Sequence, residues 1–182
     1  ELEIEKEDLD GVTVCLGPGS FTSVRISLAT AEALGVGLNI PVYGIDLLKL
    51  IADTVPYYPH KLRVIQDAYK GEFYTASFDC SSGKSVMLDK IHLVTPEDFY
   101  HSLEPGELVL GTGLTRLLSL NFNPAERGAR IDQGFHRQAS GIGVIEHFLD
   151  SEAREPSQLP LEPIYIRLSE AEIAYDKKYG KG

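Results

Sequence analysis

Apolar positions in the first third of the chain change their period twice. Residues 12–16, Val-Thr-Val-Cys-Leu, form a short apolar run rich in β-branched residues, which predicts a buried, parallel strand. Apolar residues then recur at helical spacing over 20–35, and a second short apolar run follows at 41–45. Asp46 is placed to cap a further helix that runs to about Ala52. The order strand–turn–helix–strand–helix predicts a parallel α/β layer.

A glycine-rich turn, Gly17-Pro18-Gly19, separates the first predicted strand from the first helix. Glycine lets a backbone approach a ligand closely, and a helix N-terminus offers N–H groups to an anion. Gly17 and Gly19 are therefore candidates for a phosphate-binding or partner-contact loop. The alternative is a tight strand-to-helix turn, with Ser20 or Thr22 as the N-cap. Neither the P-loop nor the Rossmann glycine fingerprint is present.

The helix after this turn carries a ridge of small side chains. They stand at every fourth position: Ser23, Ser27, Ala31 and Gly35. Such a ridge lets another helix approach closely, or it packs on the protein's own sheet. Arg25 and Glu32 are charged positions that are either solvated or in contact with a partner. Gly35 and Gly37 are expected to end the helix.

The period changes after Tyr57-Tyr58-Pro59-His60, which we interpret as a linker between two subdomains, 1–56 and 57–182. Two strands are predicted at 62–68 and 72–78, joined by a hairpin turn at Tyr69-Lys70-Gly71. The later predicted elements are a strand near 85–93, a helix begun by Thr95-Pro96 with Asp98 in a capping box, a strand at 108–111, helices at 113–120 and 140–149, and a short strand from Pro163.

Charge and composition narrow the class of function. The chain has 17 basic and 27 acidic residues and a formal net charge of −10, so it is a poor stand-alone binder of nucleic acid. In an RNA pathway a partner is expected to hold the RNA. The two cysteines, Cys15 and Cys80, are expected to be free thiols in a reducing cytoplasm. The sequence contains no apolar run of about 18 residues, so no membrane span is expected.

Three segments carry a family resemblance. Residues 17–31, GPGSFTSVRISLATA, resemble the TsaB (YeaZ) signature, in which GPGSFTGLRIGLATA is typical. Residues 67–74, DAYKGEFY, resemble the family's DARKGEVY hairpin, and residues 163–167 resemble its C-terminal P-x-Y-x-R element. Ser23 and Ser27 depart from the pattern, because the family commonly has glycine at both positions. The departure keeps the ridge small but makes it thicker.

The resemblance implies an α/β fold of the actin-like ATPase superfamily (RNase H-like) with two subdomains. Because the chain starts at Glu1 and its only methionine is Met87, we expect the first subdomain to be truncated at its N-terminus. The family also implies a cytoplasmic bacterial protein that pairs with a TsaD-like paralogue and a TsaE-like ATPase. It further implies a homodimer when the chain is alone, no intrinsic cofactor, ATP or ADP only at the partner complex, and contact with tRNA only through partners.

The residues themselves show no catalytic constellation. The histidines lie at positions 60, 92, 101, 136 and 147, and no two are four apart, so no metal site is predicted. Asp67 ends a predicted strand, where it either caps the hairpin turn or acts as a catalytic carboxylate. The leading hypothesis is a non-catalytic scaffold for a TsaD-like transferase in threonylcarbamoyladenosine modification of tRNA. The alternatives are a stand-alone actin-like ATPase or M22-type peptidase relative, and a homodimeric regulatory module.

On the scaffold hypothesis the partner interface is built from the start of the first helix. The residues assigned to it are Ser20, Phe21, Thr22, Ser23, Arg25, Ser27 and Ala31. The small ridge and the missing metal and nucleotide motifs motivate this assignment.

Overall fold

The parallel layer predicted at the start of the chain forms a two-stranded sheet. In a computed structural model that describes residues 5–132 and 155–166, strand β1 (Val12–Gly17) runs parallel to strand β2 (Val42–Asp46). Helix α1 (Phe21–Leu38) connects them and packs on the pair. Val14 of β1, Leu28 of α1 and Val42 of β2 belong to one buried cluster. The predicted strand–helix–strand order is therefore confirmed.

Helix α2 (Leu47–Asp53) begins directly after β2. The Asp46 carboxylate accepts hydrogen bonds from the backbone N–H groups of Leu48, at 2.7 Å, and Lys49, at 3.1 Å. These bonds satisfy two donors that the first turn of a helix otherwise leaves unpaired. The predicted cap of this helix is confirmed.

A second, larger sheet follows. Strands β3 (Tyr58–Asp67) and β4 (Phe73–Cys80) form the predicted antiparallel hairpin. The remaining elements are β5 (Val86–Met87), β6 (His92–Val94), α3 (Pro96–His101), β7 (Leu108–Leu110), α4 (Gly113–Ser119) and β8 (Arg130–Ile131), with 3-10 helices at Lys6–Asp8 and Pro124–Arg127. The strand order is β5-β4-β3-β7-β8, and β6 also pairs with β4. Strand β7 is parallel to β3.

Strand β3 is buried on both faces of this sheet. Leu62 and Val64 belong to the cluster that includes Leu48 and Ile51 of α2. Ile65 belongs to the opposite cluster, whose other members include Phe99 of α3 and Leu114 and Leu117 of α4. Because successive side chains of a strand point to opposite faces, this short stretch of β3 supplies the centre of both layers.

Several predicted boundaries are wrong. Helix α1 continues through Gly35 and Gly37 to Leu38, and Asn39, at φ 53°, ends it in the left-handed conformation. Tyr58-Pro59-His60 is not a linker, since it lies in β3. The strand predicted near 85–93 is two short strands, and residues 163–166 form no strand.

Four further expectations concern a late helix, the domain boundary, membrane spans and the cysteines. The predicted helix at 140–149 lies outside the described residues. The division of the chain at residue 56 stays a prediction. No helix in the described ranges is long and apolar enough to cross a membrane. Both cysteines are free thiols, as expected.

Candidate partner-binding surface

The glycine turn is in contact with a segment from the far end of the chain. We call residues 155–166 the return segment. The register of β1 is irregular between Cys15 and Gly17, and the carbonyl of the intervening Leu16 accepts a hydrogen bond from Ile164 N–H at 2.9 Å. Gly17 has φ +106°, and a Cβ on it would lie 3.3 Å from the Ile164 carbonyl oxygen. Gly17 is thus explained by its backbone conformation and a close contact within the chain.

The return segment also binds β2. Ser157 N–H donates to the Val42 carbonyl at 2.8 Å, and the Ser157 hydroxyl accepts from Gly44 N–H at 2.8 Å. Leu161 is buried in the cluster of β1, α1 and β2, and its N–H donates to the Glu32 carboxylate. The return segment therefore covers part of the small sheet and one side of α1.

The N-terminus of α1 is arranged around an aromatic pair. Phe21 stacks on Tyr165 of the return segment, with ring centroids 4.9 Å apart and an interplanar angle of 25°. The Arg25 guanidinium carbon lies 4.1 Å from the Phe21 centroid, and Arg25 Nε donates to the Tyr165 hydroxyl at 2.8 Å. Ser20 occupies the N-cap position, but its side chain makes no capping hydrogen bond. Of the two predicted N-cap residues, Ser20 and Thr22, it is therefore Ser20 that holds the position, but without the hydrogen bond that a capping side chain usually makes.

Both charged residues of α1 therefore have contacts within the chain. From the sequence, Arg25 and Glu32 are either solvated or in contact with a partner, and the structure places each against the return segment. The signal for these contacts is weak in the sequence, because the partners are 140 and 129 residues away.

The predicted ridge of small side chains is split by the fold. Ala31 is only 3% exposed and Gly35 is buried, because this half of the ridge packs on the sheet. Ser23 and Ser27 are exposed, and the Ser27 hydroxyl bonds to the Ser23 carbonyl at 2.9 Å. The assignment of Ala31 to a partner surface is corrected, since its side chain belongs to the chain's own core. Gly19, Ser20, Thr22, Ser23, Arg25 and Ser27 are exposed, whereas Phe21 is half-buried.

A different face of α1 is free of contacts with the sheet. We call it the α1 stripe, and it consists of Thr22, Ile26, Ala29, Ala33 and Val36, all of them exposed. Ile26 is 62% exposed and Val36 is 71% exposed. The positions alternate steps of four and three residues, which is the spacing that keeps side chains on one seam of a helix that packs against another helix. No member is charged. The sequence carries this spacing, but spacing alone does not distinguish the exposed face of a helix from the buried one.

Electrostatics at the carboxyl ends of β1 and β2 disfavour charge there. Burial raises the pKa of Asp46 despite its two amide hydrogen bonds, and burial likewise raises the pKa of the Cys15 thiol. Gly17 is the register partner of Asp46, so this carboxylate lies beside the glycine turn. No described contact adds a cation to the turn, and the phosphate-binding role of Gly17 and Gly19 stays a prediction.

Asp67, the one candidate catalytic carboxylate, lies at the hairpin turn between β3 and β4. The Asp67 carboxylate accepts from Tyr69 N–H at 2.8 Å, which confirms that it caps the hairpin turn, and it also pairs with Arg116 at 2.8 Å. Tyr69 and Lys70 adopt left-handed conformations, at φ 56° and 50°. Among residues 5–132 and 155–166, no group of three or more His, Cys, Asp or Glu side chains is placed to hold a metal ion.

Comparison with known proteins gives this surface its context. Residues 1–96 match the family model described as "TsaD: tRNA N6-adenosine threonylcarbamoyltransferase". The tRNA threonylcarbamoyladenosine biosynthesis protein TsaB of Bacillus subtilis is 27% identical over 96% of this chain and 77% of its own length. The TsaB protein of Buchnera aphidicola subsp. Schizaphis graminum is 33% identical over 42% of this chain and 37% of its own.

Solved structures show the same fold. A Pseudomonas aeruginosa protein described as similar to peptidase YeaZ superposes with a TM-score of 0.66 at 19% identity, over 90% of this chain and 76% of the other. YeaZ from Pseudomonas aeruginosa gives a TM-score of 0.60 at 19% identity, over 79% and 66%. The expected α/β fold is confirmed, and it is the fold of these YeaZ structures. Because the family model spans more than half of the chain, the chain belongs to the family whose model is described as TsaD, and along nearly all of its length it resembles the TsaB (YeaZ) proteins.

Proposed function

We propose that this chain is a non-catalytic scaffold that binds a TsaD-type transferase in the threonylcarbamoyladenosine modification of tRNA. The observation that carries the proposal is the α1 stripe, an exposed and uncharged seam on an 18-residue helix. The similarity to TsaB proteins supports the pathway, and the match to the TsaD family model supports a partner of related fold.

The chemistry of the stripe suits a helix from a partner. Ala29 and Ala33 lie at its centre, and small side chains there let the axis of a second helix approach to about 8–10 Å. Ile26 and Val36 flank them and lose most of their exposed apolar surface when a partner covers them. Burial of each methylene contributes about 0.8 kcal/mol. Uncharged seams of this kind mark interaction sites on otherwise polar surfaces.

The net charge of this chain bears on which protein of the complex binds the tRNA. At −10, the chain repels a polyanion, so in this proposal the tRNA is held by the partner and reaches this chain only indirectly. ATP or ADP, and a TsaE-like ATPase, then belong to the assembled complex.

The test compares two arginine substitutions on the same helix. Ala33→Arg places a charge in the α1 stripe, whereas Ser27→Arg places the same charge on the exposed half of the small ridge, the surface that the sequence alone favoured as the interface. The two variants therefore decide between the two surfaces. Both positions are exposed, so both variants should fold. We expect Ala33→Arg to weaken binding to the purified transferase by about 100-fold and Ser27→Arg to change it by less than about threefold, measured by titration calorimetry. A wild-type chain that does not bind the transferase would contradict the proposal.

A second candidate is a homodimer through the same surface. A seam on one helix is complementary to itself about a two-fold axis, so two copies can pair along it. Light scattering over a range of protein concentrations measures this directly. We expect wild type to dimerise and Ala33→Arg to remain monomeric; a wild-type chain that stays monomeric at high concentration excludes the dimer.

A further inference from the structure

One edge of the α1 stripe is occupied by Arg25. This residue lies three positions after Thr22 and four before Ala29, so its side chain neighbours both on the helix surface. It is exposed, in contrast to Glu32, the other charged residue of the helix, which is half-buried against Leu161. Arg25 is thus the cation nearest to the proposed docking face along α1.

The return segment fixes the direction of this side chain. Arg25 Nε donates to the Tyr165 hydroxyl at 2.8 Å, and the guanidinium carbon lies 4.1 Å from the Phe21 centroid and 5.8 Å from the Tyr165 centroid. The Tyr165 ring is itself held by stacking on Phe21. An arginine held through Nε and by ring faces loses less conformational entropy when its remaining donors bind.

Among residues 5–132 and 155–166, no side chain pairs with the two terminal nitrogens of Arg25. Its side-chain hydrogen bond and ring contacts there are those with Tyr165 and Phe21, and no carboxylate in these ranges forms an ion pair with it. The planar fork formed by Nη1 and Nη2 matches the two oxygens of a carboxylate. A nucleic-acid phosphate fits this site less well, because a single cation on a chain of net charge −10 does not overcome the repulsion of a polyanion.

We propose that Arg25 is a preorganised anchor for a carboxylate side chain of the protein that docks on the α1 stripe, with Tyr165 of the return segment as its positioning residue. This inference rests on the proposed function, because the docking protein is the transferase. It makes the docking face composite: α1 supplies the apolar seam, and the distant return segment orients the charge beside it.

The experiment measures transferase affinity at two ionic strengths, about 50 and 300 mM, for wild type, Arg25→Gln and Tyr165→Phe. Arg25→Gln removes the charge and should weaken binding about tenfold at low salt while making the affinity less dependent on salt. Tyr165→Phe keeps the stacked ring and the charge but removes the acceptor for Nε. It should weaken binding about threefold and retain the salt dependence.

The outcomes separate this inference from the proposed function. If Ala33→Arg abolishes binding while Arg25→Gln binds within about twofold of wild type, the anchor is wrong and the scaffold proposal stands. Both Arg25→Gln and Tyr165→Phe could instead lower the melting temperature and weaken binding while the salt dependence of the affinity stays unchanged. The contact between Arg25 and Tyr165 would then only stabilise the fold, and the proposal that Arg25 binds a partner carboxylate would be wrong. A wild-type chain that does not bind the transferase overturns both.

Discussion

Gly35 of α1 packs directly against Val42 of β2, with no space for a side chain between them. A Cβ on Gly35 would overlap Val42 Cγ2 and would also lie 3.2 Å from the Ile40 carbonyl oxygen. Ile40 N–H donates back to the Gly35 carbonyl at 3.0 Å, so the connection from helix to strand is tight. This contact sets which face of α1 meets the sheet and, as a consequence, which face remains exposed.

Gly35→Ala should destabilise the protein. The added methyl group has to displace Val42 or move the helix, and overpacking of this kind costs about 1–3 kcal/mol. Gly37→Ala is the matched control, because nothing lies within 4 Å of its Cβ position. That substitution should be neutral or stabilising by up to about 1 kcal/mol. Urea denaturation measures both, and equal losses for the two variants would contradict the packing described for Gly35.

Substitution of Leu161 measures how much the return segment contributes to the stability of the small sheet. Its side chain is 7% exposed, in the cluster with Leu28, Ala31 and Val42. Leu161→Ala should cost about 2–4 kcal/mol, because it leaves a cavity beneath α1. Leu159→Ala, two residues earlier and 45% exposed, should cost less than about 0.5 kcal/mol. Thermal unfolding distinguishes the two; indistinguishable melting temperatures would mean that the return segment is not held in place.

The two candidate N-caps should behave differently when they are replaced by alanine. Asp46→Ala removes the acceptor for two backbone N–H groups of α2 and should cost about 0.5–1 kcal/mol. The loss should lie in the lower part of the usual range because burial raises the pKa of Asp46 and so disfavours its ionised carboxylate. Ser20→Ala removes no capping bond from α1 and should leave the free energy of unfolding unchanged. A larger loss for Ser20→Ala than for Asp46→Ala would reverse this assignment.

Both thiols should react slowly with alkylating reagents in the folded protein. Burial raises the pKa of Cys15 and of Cys80, so at neutral pH a smaller fraction of each is thiolate than in the unfolded chain. The rate should therefore rise with pH, and it should rise sharply in urea at constant pH. Mass spectrometry of iodoacetamide-labelled peptides follows each cysteine separately. Labelling of folded Cys15 as fast as in urea would show that its thiol is neither buried nor shifted.

Local signals predicted most of the elements. A few neighbouring residues are enough to predict an element when propensity, capping or turn formation determines it. This holds for the strand at 12–16, the Asp46 cap, the hairpin at 62–78 and the helix begun by Thr95. The predicted end of α1 was wrong because it, too, relied on a signal from only a few residues. Two glycines favoured a stop, but Gly35 is required by the contact with Val42, so tertiary packing overrode the local preference.

By itself the sequence determined the order of strands and helices in the first layer, the resemblance to the TsaB family and the absence of a recognisable catalytic motif. The tertiary structure decided which face of α1 is free. That choice depends on where the helix lies against β2 and on the return segment that reaches it through Glu32 and Arg25. These contacts join residues 129 and 140 positions apart, and no local pattern encodes a contact that only the folded chain brings together.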